Sequence, residues 1–252
     1  MSEPASAEPW LTVVGCLPSG ALAPTAPRSA LAAEAVFGAE RLLEAAAVEA
    51  ARRHPWPQPF ADGLAALLAR RGHPTTVLAS GDPLHHGIGA TLLRHLSPAE
   101  LTVHPAPSAF ALAAAAMRWP LDTVTTLSLH NAPAEAIRAH TAPGRRLLVL
   151  TRDGDAPAAI SHALTGAGYG ESLVTVLENL GSPLEARHSA PAHALTGRFA
   201  PLNTLAIEAV RPAPIAVDDL THDGCVTRDE VRRLTIAALG QGAGNGVSRH
   251  LW

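Results

Sequence analysis

Leu78-Ala79-Ser80-Gly81-Asp82-Pro83-Leu84-His85-His86-Gly87 is the stretch on which the reading of this chain turns. It continues Thr75-Thr76-Val77-Leu78, a short β-branched and apolar run with the character of a buried strand. Beyond it, Ile88 to Leu96 has helical spacing. A strand that passes through Ser-Gly-Asp-Pro into a helix sets a turn at the carboxyl edge of a sheet, where open α/β sheets bind their ligands. Gly81 lets a ligand approach the backbone closely, Asp82 offers a carboxylate, and Pro83 fixes the exit direction. Taken alone, Gly-Asp-Pro reads equally well as a plain turn.

The 252 residues suffice for one large domain or two ordinary ones with real cores. Hydrophobic residues make up 47%, yet no apolar run approaches the length of a membrane span. Residues 1–9 carry Pro and Glu with no basic start, so they read as a disordered leader and not as a signal peptide. Cys16 and Cys225 lie far apart and form no metal-spaced pair, which suits a reducing compartment. All 19 basic residues are arginine; with the abundance of alanine, this reads as genomic base bias. A net charge of -3 argues against a general nucleic-acid binder. The expectation is a soluble, globular, cytoplasmic protein.

Working outward, Trp10 to Val14 reads as the first strand, followed by Gly15-Cys16-Leu17-Pro18-Ser19-Gly20. The outer glycines are spaced as in a P-loop, but Ala21 stands where Lys and Ser/Thr are needed, and Leu17 stands where a dinucleotide fingerprint needs glycine. A simple strand-to-helix turn remains. Ala30 to Ala51 is mostly helical in pattern, broken near Val36-Phe37-Gly38, where a short second strand fits. Pro55, Pro57 and Pro59 predict an extended surface connection, and Asp62 a cap on a helix that buries Leu64, Leu67 and Leu68. Leu101 to His104 is a strand that runs through Pro105-Ala106-Pro107-Ser108-Ala109 into an alanine-rich helix ending at Met117. Ser108 there is an N-cap first and a ligand contact second, since helix N-termini also receive a ligand's carboxylate.

Pro120 marks the passage into a second α/β unit. Its predicted strands are Val124 to Leu129, Arg146 to Thr151, Leu173 to Leu177 and Thr204 to Val210, with a helix over Ala156 to Gly168. Alternating strands and helices predict α/β layers. Arg211-Pro212-Ala213-Pro214 reads as a linker, with a helix from Thr227 to Leu239 beyond it.

The strand-end motifs together resemble the tetrapyrrole methylase superfamily, in its precorrin-6Y C5,15-methyltransferase branch (CbiE-type, or the N-terminal half of CobL). They are Ser80-Gly81-Asp82-Pro83 with Gly87, Pro105 to Ala109, Ser128-Leu129-His130, Leu148 to Gly154, Leu177 to Gly181 and Phe199 to Asn203, in the family's order. The resemblance implies two α/β/α domains, over residues 10–106 and 107–211, with S-adenosyl-L-methionine in the cleft between them, and a homodimer. Carried over by motif, the cofactor would meet Pro18, Ser80, Gly81, Asp82 and His85, then Ser108 and Ala109, and later Leu180, Pro201, Leu202 and Asn203. The implied reaction is methylation at C5 of a precorrin, metal-free or cobalt-loaded, in cobalamin biosynthesis. Methyl transfer from a sulfonium to an electron-rich ring carbon needs mainly proximity and alignment, worth about 7–11 kcal/mol of barrier in favourable cases. His85, His86, His130 and Asp153 are candidates to collect a proton, with helix capping or strand-end hydrogen bonding as their structural alternative. Arg41 and Arg152 are candidates to bind the substrate's carboxylates, with a solvated surface charge as theirs. No metal is implied, and His85, His86 and His130 make a poor metal site because adjacent histidines point apart in most backbones.

The chain departs from the family pattern where Leu17, Ser19 and Ala106 replace glycines, which predicts narrowed loops, and where Asn131-Ala132 replaces a Gly-Arg pair after Ser-Leu-His. Asp218 to Arg228 resembles the entry segment of a CbiT-type domain, so 212–252 reads as a linker and the truncated start of that domain. The C15-methylating and decarboxylating activity is then expected in a separate CbiT-type partner. The competing reading is a catalytically impaired tetrapyrrole-binding module that hands intermediates to that partner.

Overall fold

The computed structural model describes residues 9–210; the expected leader apart from Pro9, and the expected linker and CbiT-like segment at 212–252, lie outside the described residues. The chain divides into two compact units. One runs up to Leu112 and takes in Leu180–Pro183; the other comprises Ala113–Asn179 and continues from Leu184. The division falls later than the expected 106/107 boundary, inside a helix.

The first unit is built on a five-stranded parallel sheet of order β3-β2-β4-β1-β5. Its strands are β1 (Leu11–Cys16), β2 (Ala35–Gly38), β3 (Arg53–Pro55), β4 (Thr75–Ser80) and β5 (Leu101–His104). Successive side chains of a strand point to opposite faces. Accordingly Val14, Val36 and Leu78 enter one apolar cluster with Leu42 and Leu43 of α1 (Glu40–Ala45). Val13, Phe37 and Val77 enter another with Leu67 of α2 (Phe60–Leu68) and Leu92 of α3 (Ile88–Leu92). A parallel sheet covered on both faces needs near-continuous apolar strands, and LTVVGC and TTVLAS supply them.

The second unit holds a mixed sheet of order β6-β7-β10-β8-β9. β6 (Thr125–Ser128) and β7 (Arg146–Leu150) are parallel; β8 (Leu173–Glu178), β9 (Ala186–Pro191) and β10 (Asn203–Glu208) complete it with antiparallel pairings. Leu147, Val149, Val174, Val176, Leu205 and Ile207 meet Ile160, Ala163 and Leu164 of α5 (Ala156–Gly166) in one core. Between the two sheets in sequence lies α4 (Ala109–Met117).

Several local expectations are corrected. Within 30–51 the short strand expected at Val36-Phe37-Gly38 is present as β2, between β3 and β4, but the rest is helical only in α1 and in short 3-10 turns. The proline-rich connection begins as a true edge strand, β3, whose pairing with β2 is extended by the Trp56 N–H donating to the Gly38 carbonyl. Proline is tolerated there because an edge strand has one unpaired side. Asp62 does not cap α2: Pro59 is the N-cap residue and Asp62 sits within the first turn, where its charge suits the helix dipole. The helix after the Gly-Asp-Pro turn stops at Leu92. The strand β9 has no counterpart in the sequence reading, since Ala-Arg-His-Ser-Ala-Pro lacks apolar alternation. Among the described residues no helix is long and apolar enough to cross a membrane.

Leu164 is fully buried and Leu121 is 40% exposed. Leu164→Ala is expected to cost about 2–5 kcal/mol of folding stability. Leu121→Ala is expected to stay within about 0.5 kcal/mol of the parent. Urea denaturation of the two variants checks the contrast.

Candidate functional site

In the first unit, β1 lies between β4 and β5 and runs parallel to both, so the loops after all three strands leave the same edge. They converge on Gly15. A Cβ there would run into the Gly81 carbonyl and would lie 2.5 Å from the Ala106 nitrogen. The Gly81 N–H donates to the Cys16 carbonyl at 2.9 Å, and Gly81 has φ +67°, a conformation glycine adopts without strain. A Cβ on Gly81 would stand 3.0 Å from the Pro107 carbonyl oxygen. The turn is therefore packed backbone to backbone against the segment that opens α4.

Asp82 folds the turn: its Oδ1 accepts the Leu84 N–H at 2.8 Å and its carbonyl accepts the His85 N–H. Ser108, buried, caps α4 as expected, its Oγ accepting the Ala111 N–H at 3.1 Å. The His85 ring lies 4.6 Å from the ring of the fully buried Phe110, which the sequence did not single out. His86 corrects an expectation. It has φ 57°, which folds it back so that its ring stacks on His85 at 5.4 Å, although adjacent histidines ordinarily diverge. Partial burial, and then His85 beside it, hold the His86 imidazole below the usual histidine value. Exposed Arg41 donates through Nη2 to the Ser80 hydroxyl at 2.9 Å. Burial pushes the Cys16 thiol up to about 11, against the opposing pull of Arg41. Pro18 faces Gly181, whose missing Cβ would fall 2.9 Å from the proline Cγ, so the Leu180–Pro183 segment belongs to this cluster.

The three glycine replacements separate. Ala106 is buried in the cluster of Val14, Cys16 and Leu78, and Leu17 packs part-buried on the same cluster. Ser19 is exposed and accepts the Ala21 N–H. Ala106 thus spends its methyl group on the core.

In the second unit the candidates gather at the end of β7 and the start of β10. Asn203 is central: its Oδ1 accepts the Thr151 hydroxyl at 2.7 Å, and its Nδ2 donates to the Asp153 and Ala200 carbonyls at 3.0 and 2.8 Å. The Phe199 N–H donates to the Gly154 carbonyl, and a Cβ on Gly154 would collide with the Phe199 carbonyl. Asp153 folds the turn into α5, whose N-cap residue is Asp155: its Oδ1 accepts the Asp155 and Ala156 N–H groups at 3.0 Å each. His130 Nδ1 lies 3.3 Å from the Thr151 carbonyl; a carbonyl only accepts, so in the neutral ring Nε2 carries the lone pair. Exposed Arg152 reaches the Ala132 carbonyl at 3.4 Å. Pro201 and Leu202 are exposed on the loop that Asn203 ties down.

Glu178, at the end of β8, was passed over by the sequence reading. Its buried carboxylate accepts the Ala200 N–H through Oε1, and its Oε2 lies 3.3 Å from His188 Nε2. An acid closing the apolar run Leu-Val-Thr-Val-Leu was the available signal for Glu178; none existed for His188, which stands on the unforeseen β9. Among the described residues no group of three or more His, Cys, Asp or Glu side chains is placed to hold a metal ion.

Asn203→Ala strips a partner from each of the part-buried Asp153 and Ala200 carbonyls, while the Thr151 hydroxyl keeps the main-chain carbonyl at position 203 as an acceptor. The expected loss is about 1–3 kcal/mol in all, read by chemical denaturation. His86 is expected to titrate below the ordinary histidine value of about 6.5 in an NMR pH titration, where His86→Asn identifies its signal.

Residues 11–196 match the family model of Tetrapyrrole (Corrin/Porphyrin) Methylases. The chain is 41% identical over 251 residues to the precorrin-6Y C(5,15)-methyltransferase [decarboxylating] of a Sinorhizobium species, a match covering 94% of this chain and 61% of that protein's length. It is 28% identical over 193 residues to the cobalt-precorrin-7 C(5)-methyltransferase of Salmonella typhimurium, covering 75% of this chain and 94% of that protein. Among solved structures, uroporphyrin-III C-methyl transferase from Thermus thermophilus, complexed with S-adenyl homocysteine, superposes with a TM-score of 0.57 at 21% identity, covering 79% of this chain and 96% of that one. That likeness concerns the α/β fold, and the family match covers the first sheet and all of the second but β10. The chain belongs to the tetrapyrrole methylases.

Proposed function

We propose that this chain is an S-adenosylmethionine-dependent methyltransferase acting at C5 of a precorrin, metal-free or cobalt-loaded, in cobalamin biosynthesis. The observation that supports the C5 reading is the match to a cobalt-precorrin-7 C(5)-methyltransferase over 94% of that protein's length. The donor reading draws on family membership, on the S-adenyl homocysteine complex of the Thermus protein, and on the first unit's turn.

The residues present fit such a donor. Backbone without Cβ at Gly81 permits close approach, the Asp82 carboxylate suits a cation, and the capped start of α4 suits a carboxylate. When bound, S-adenosylmethionine supplies an electrophilic methyl group for an electron-rich ring carbon. In the first unit, Pro18, Ser80, Gly81, Asp82, His85, Ser108, Ala109 and Leu180 are assigned to donor binding. In the second, Pro201, Leu202 and Asn203 are assigned to it, with the Asn203 side chain holding the loop and not the ligand. Arg41 and Arg152 are assigned to the substrate's carboxylates; both are exposed and make single hydrogen bonds of the kind a stronger charged partner displaces. Of the proton acceptors, Asp153 is engaged in the turn that leads into α5, which leaves His85, His86 and His130. A cytoplasmic homodimer working beside a CbiT-type partner completes the proposal.

Calorimetric titration with S-adenosylhomocysteine tests the donor site. Saturable binding at one ligand per chain is expected, and methyl transfer to a precorrin should follow by mass spectrometry. Asp82→Ala should weaken binding about tenfold or more while the circular dichroism spectrum stays that of the folded chain. A folded Asp82→Ala variant that binds normally removes the role assigned to the turn. A folded parent chain that binds a corrinoid but no donor establishes the non-catalytic binding module instead.

A further inference from the structure

Ala200 is held at both ends of its peptide frame. Its N–H donates to the Glu178 carboxylate, and its carbonyl accepts from Asn203 Nδ2 at 2.8 Å. Glu178 is 9% exposed, on the last residue of β8, and the next residue's N–H is tied to the same loop, Asn179 donating to the Leu202 carbonyl at 2.9 Å. The loop 199–202 is thus clipped to the end of β8 at Ala200 and Leu202, while Leu202 presents a side chain 51% exposed. A charge-assisted hydrogen bond from a backbone N–H to a buried carboxylate is among the stronger single constraints a loop receives. Burying that carboxylate is costly unless it is paired and hydrogen-bonded. The second oxygen is partnered by His188 Nε2, across the β8–β9 ladder in which His188 faces Val176, two residues from Glu178. The Phe199 ring lies 5.7 Å from the His188 ring. An acid, an edge-strand histidine and an aromatic ring are therefore all spent on one short loop.

We propose that Glu178 is a positioning residue for the proposed methyl-donor site: it sets donor affinity by fixing Ala200, and through it the exposed Pro201-Leu202 pair, with His188 as the partner that keeps the carboxylate aimed. The inference rests on the assignment of Pro201, Leu202 and Asn203 to donor binding. Glu178 touches no donor atom in it; the effect passes through the Ala200 backbone.

The test is a series at Glu178 in the full chain, titrated with S-adenosylhomocysteine well below each variant's melting temperature. Glu178→Ala removes the acceptor, Glu178→Asp withdraws it by one methylene while keeping the charge, and Glu178→Gln keeps an acceptor oxygen for the Ala200 N–H. Expected are a Kd raised about tenfold or more for Glu178→Ala, a smaller rise for Glu178→Asp, and a value within about threefold of the parent for Glu178→Gln. In turnover, the KM for S-adenosylmethionine should rise while the KM for the precorrin stays. A merely structural role lowers the melting temperature and leaves these constants alone. Should Glu178→Ala fail to fold, Glu178→Asp against Glu178→Gln carries the comparison. Folded Glu178→Ala or Glu178→Asp with parental affinity overturns the proposal, as does Glu178→Gln as weak as Glu178→Ala. A folded parent chain that binds no S-adenosylhomocysteine overturns the donor reading itself, and this inference with it.

Discussion

Backbone packed directly on backbone at Gly15 governs the first unit. Three parallel strands end side by side there, and the space a Cβ would need is already held by the Gly81 carbonyl and the Ala106 nitrogen. Because that contact is rigid, the turn after β4 must leave in the left-handed conformation of Gly81, and α4 must start where Ser108 caps it. The position of Asp82 and of the tilted His85–Phe110 ring contact follows from the same constraint. Interiors are close-packed, so a shift of even a methyl group at such a point is transmitted to its neighbours.

The second unit reaches the same end by polar means. Its loops at 151–154 and 199–203 are joined by Asn203 and by the Phe199–Gly154 backbone bond, and Glu178 ties the second of them to β8, with nearly all of the described buried polar side-chain atoms finding partners. Among the described residues Ser161 Oγ is the buried side-chain atom left without one. Such networks are costly when half-satisfied and rigidifying when complete, which is the property a loop bearing ligand contacts requires. The consequence for chemistry is a pair of edges with little reactive side-chain equipment but closely specified backbone, in keeping with a reaction that needs alignment above all.

The strand-end turns were legible because each combines an apolar run with a residue whose conformational role is local: Gly81, Pro83 and the Ser108 cap act within a few positions of where they stand. The polar edge strand β9 was not legible, since an edge strand needs no apolar alternation and Ala-Arg-His-Ser-Ala-Pro carries none. The short strand at Val36-Phe37-Gly38 was legible as a break in the helical pattern of 30–51 and is β2, but how little of the remainder is helical was not, since only α1 and short 3-10 turns form there. Asp62 resembled a cap by type, and Pro59 took the position instead.

By itself, the sequence determined that this is an α/β protein, which loops meet at the strand ends, and to which family the motifs belong. Hydrophobic period, turn residues and motif order are properties of neighbours along the chain. Only the tertiary structure decided that Ala106 turns its methyl into the core, that His86 folds back onto His85, and that Glu178 and Asn203 grip the same residue, Ala200, from two strands. Those outcomes depend on which groups arrive from distant positions to fill space or accept a hydrogen bond, and no local pattern encodes the distance between residues 178 and 200.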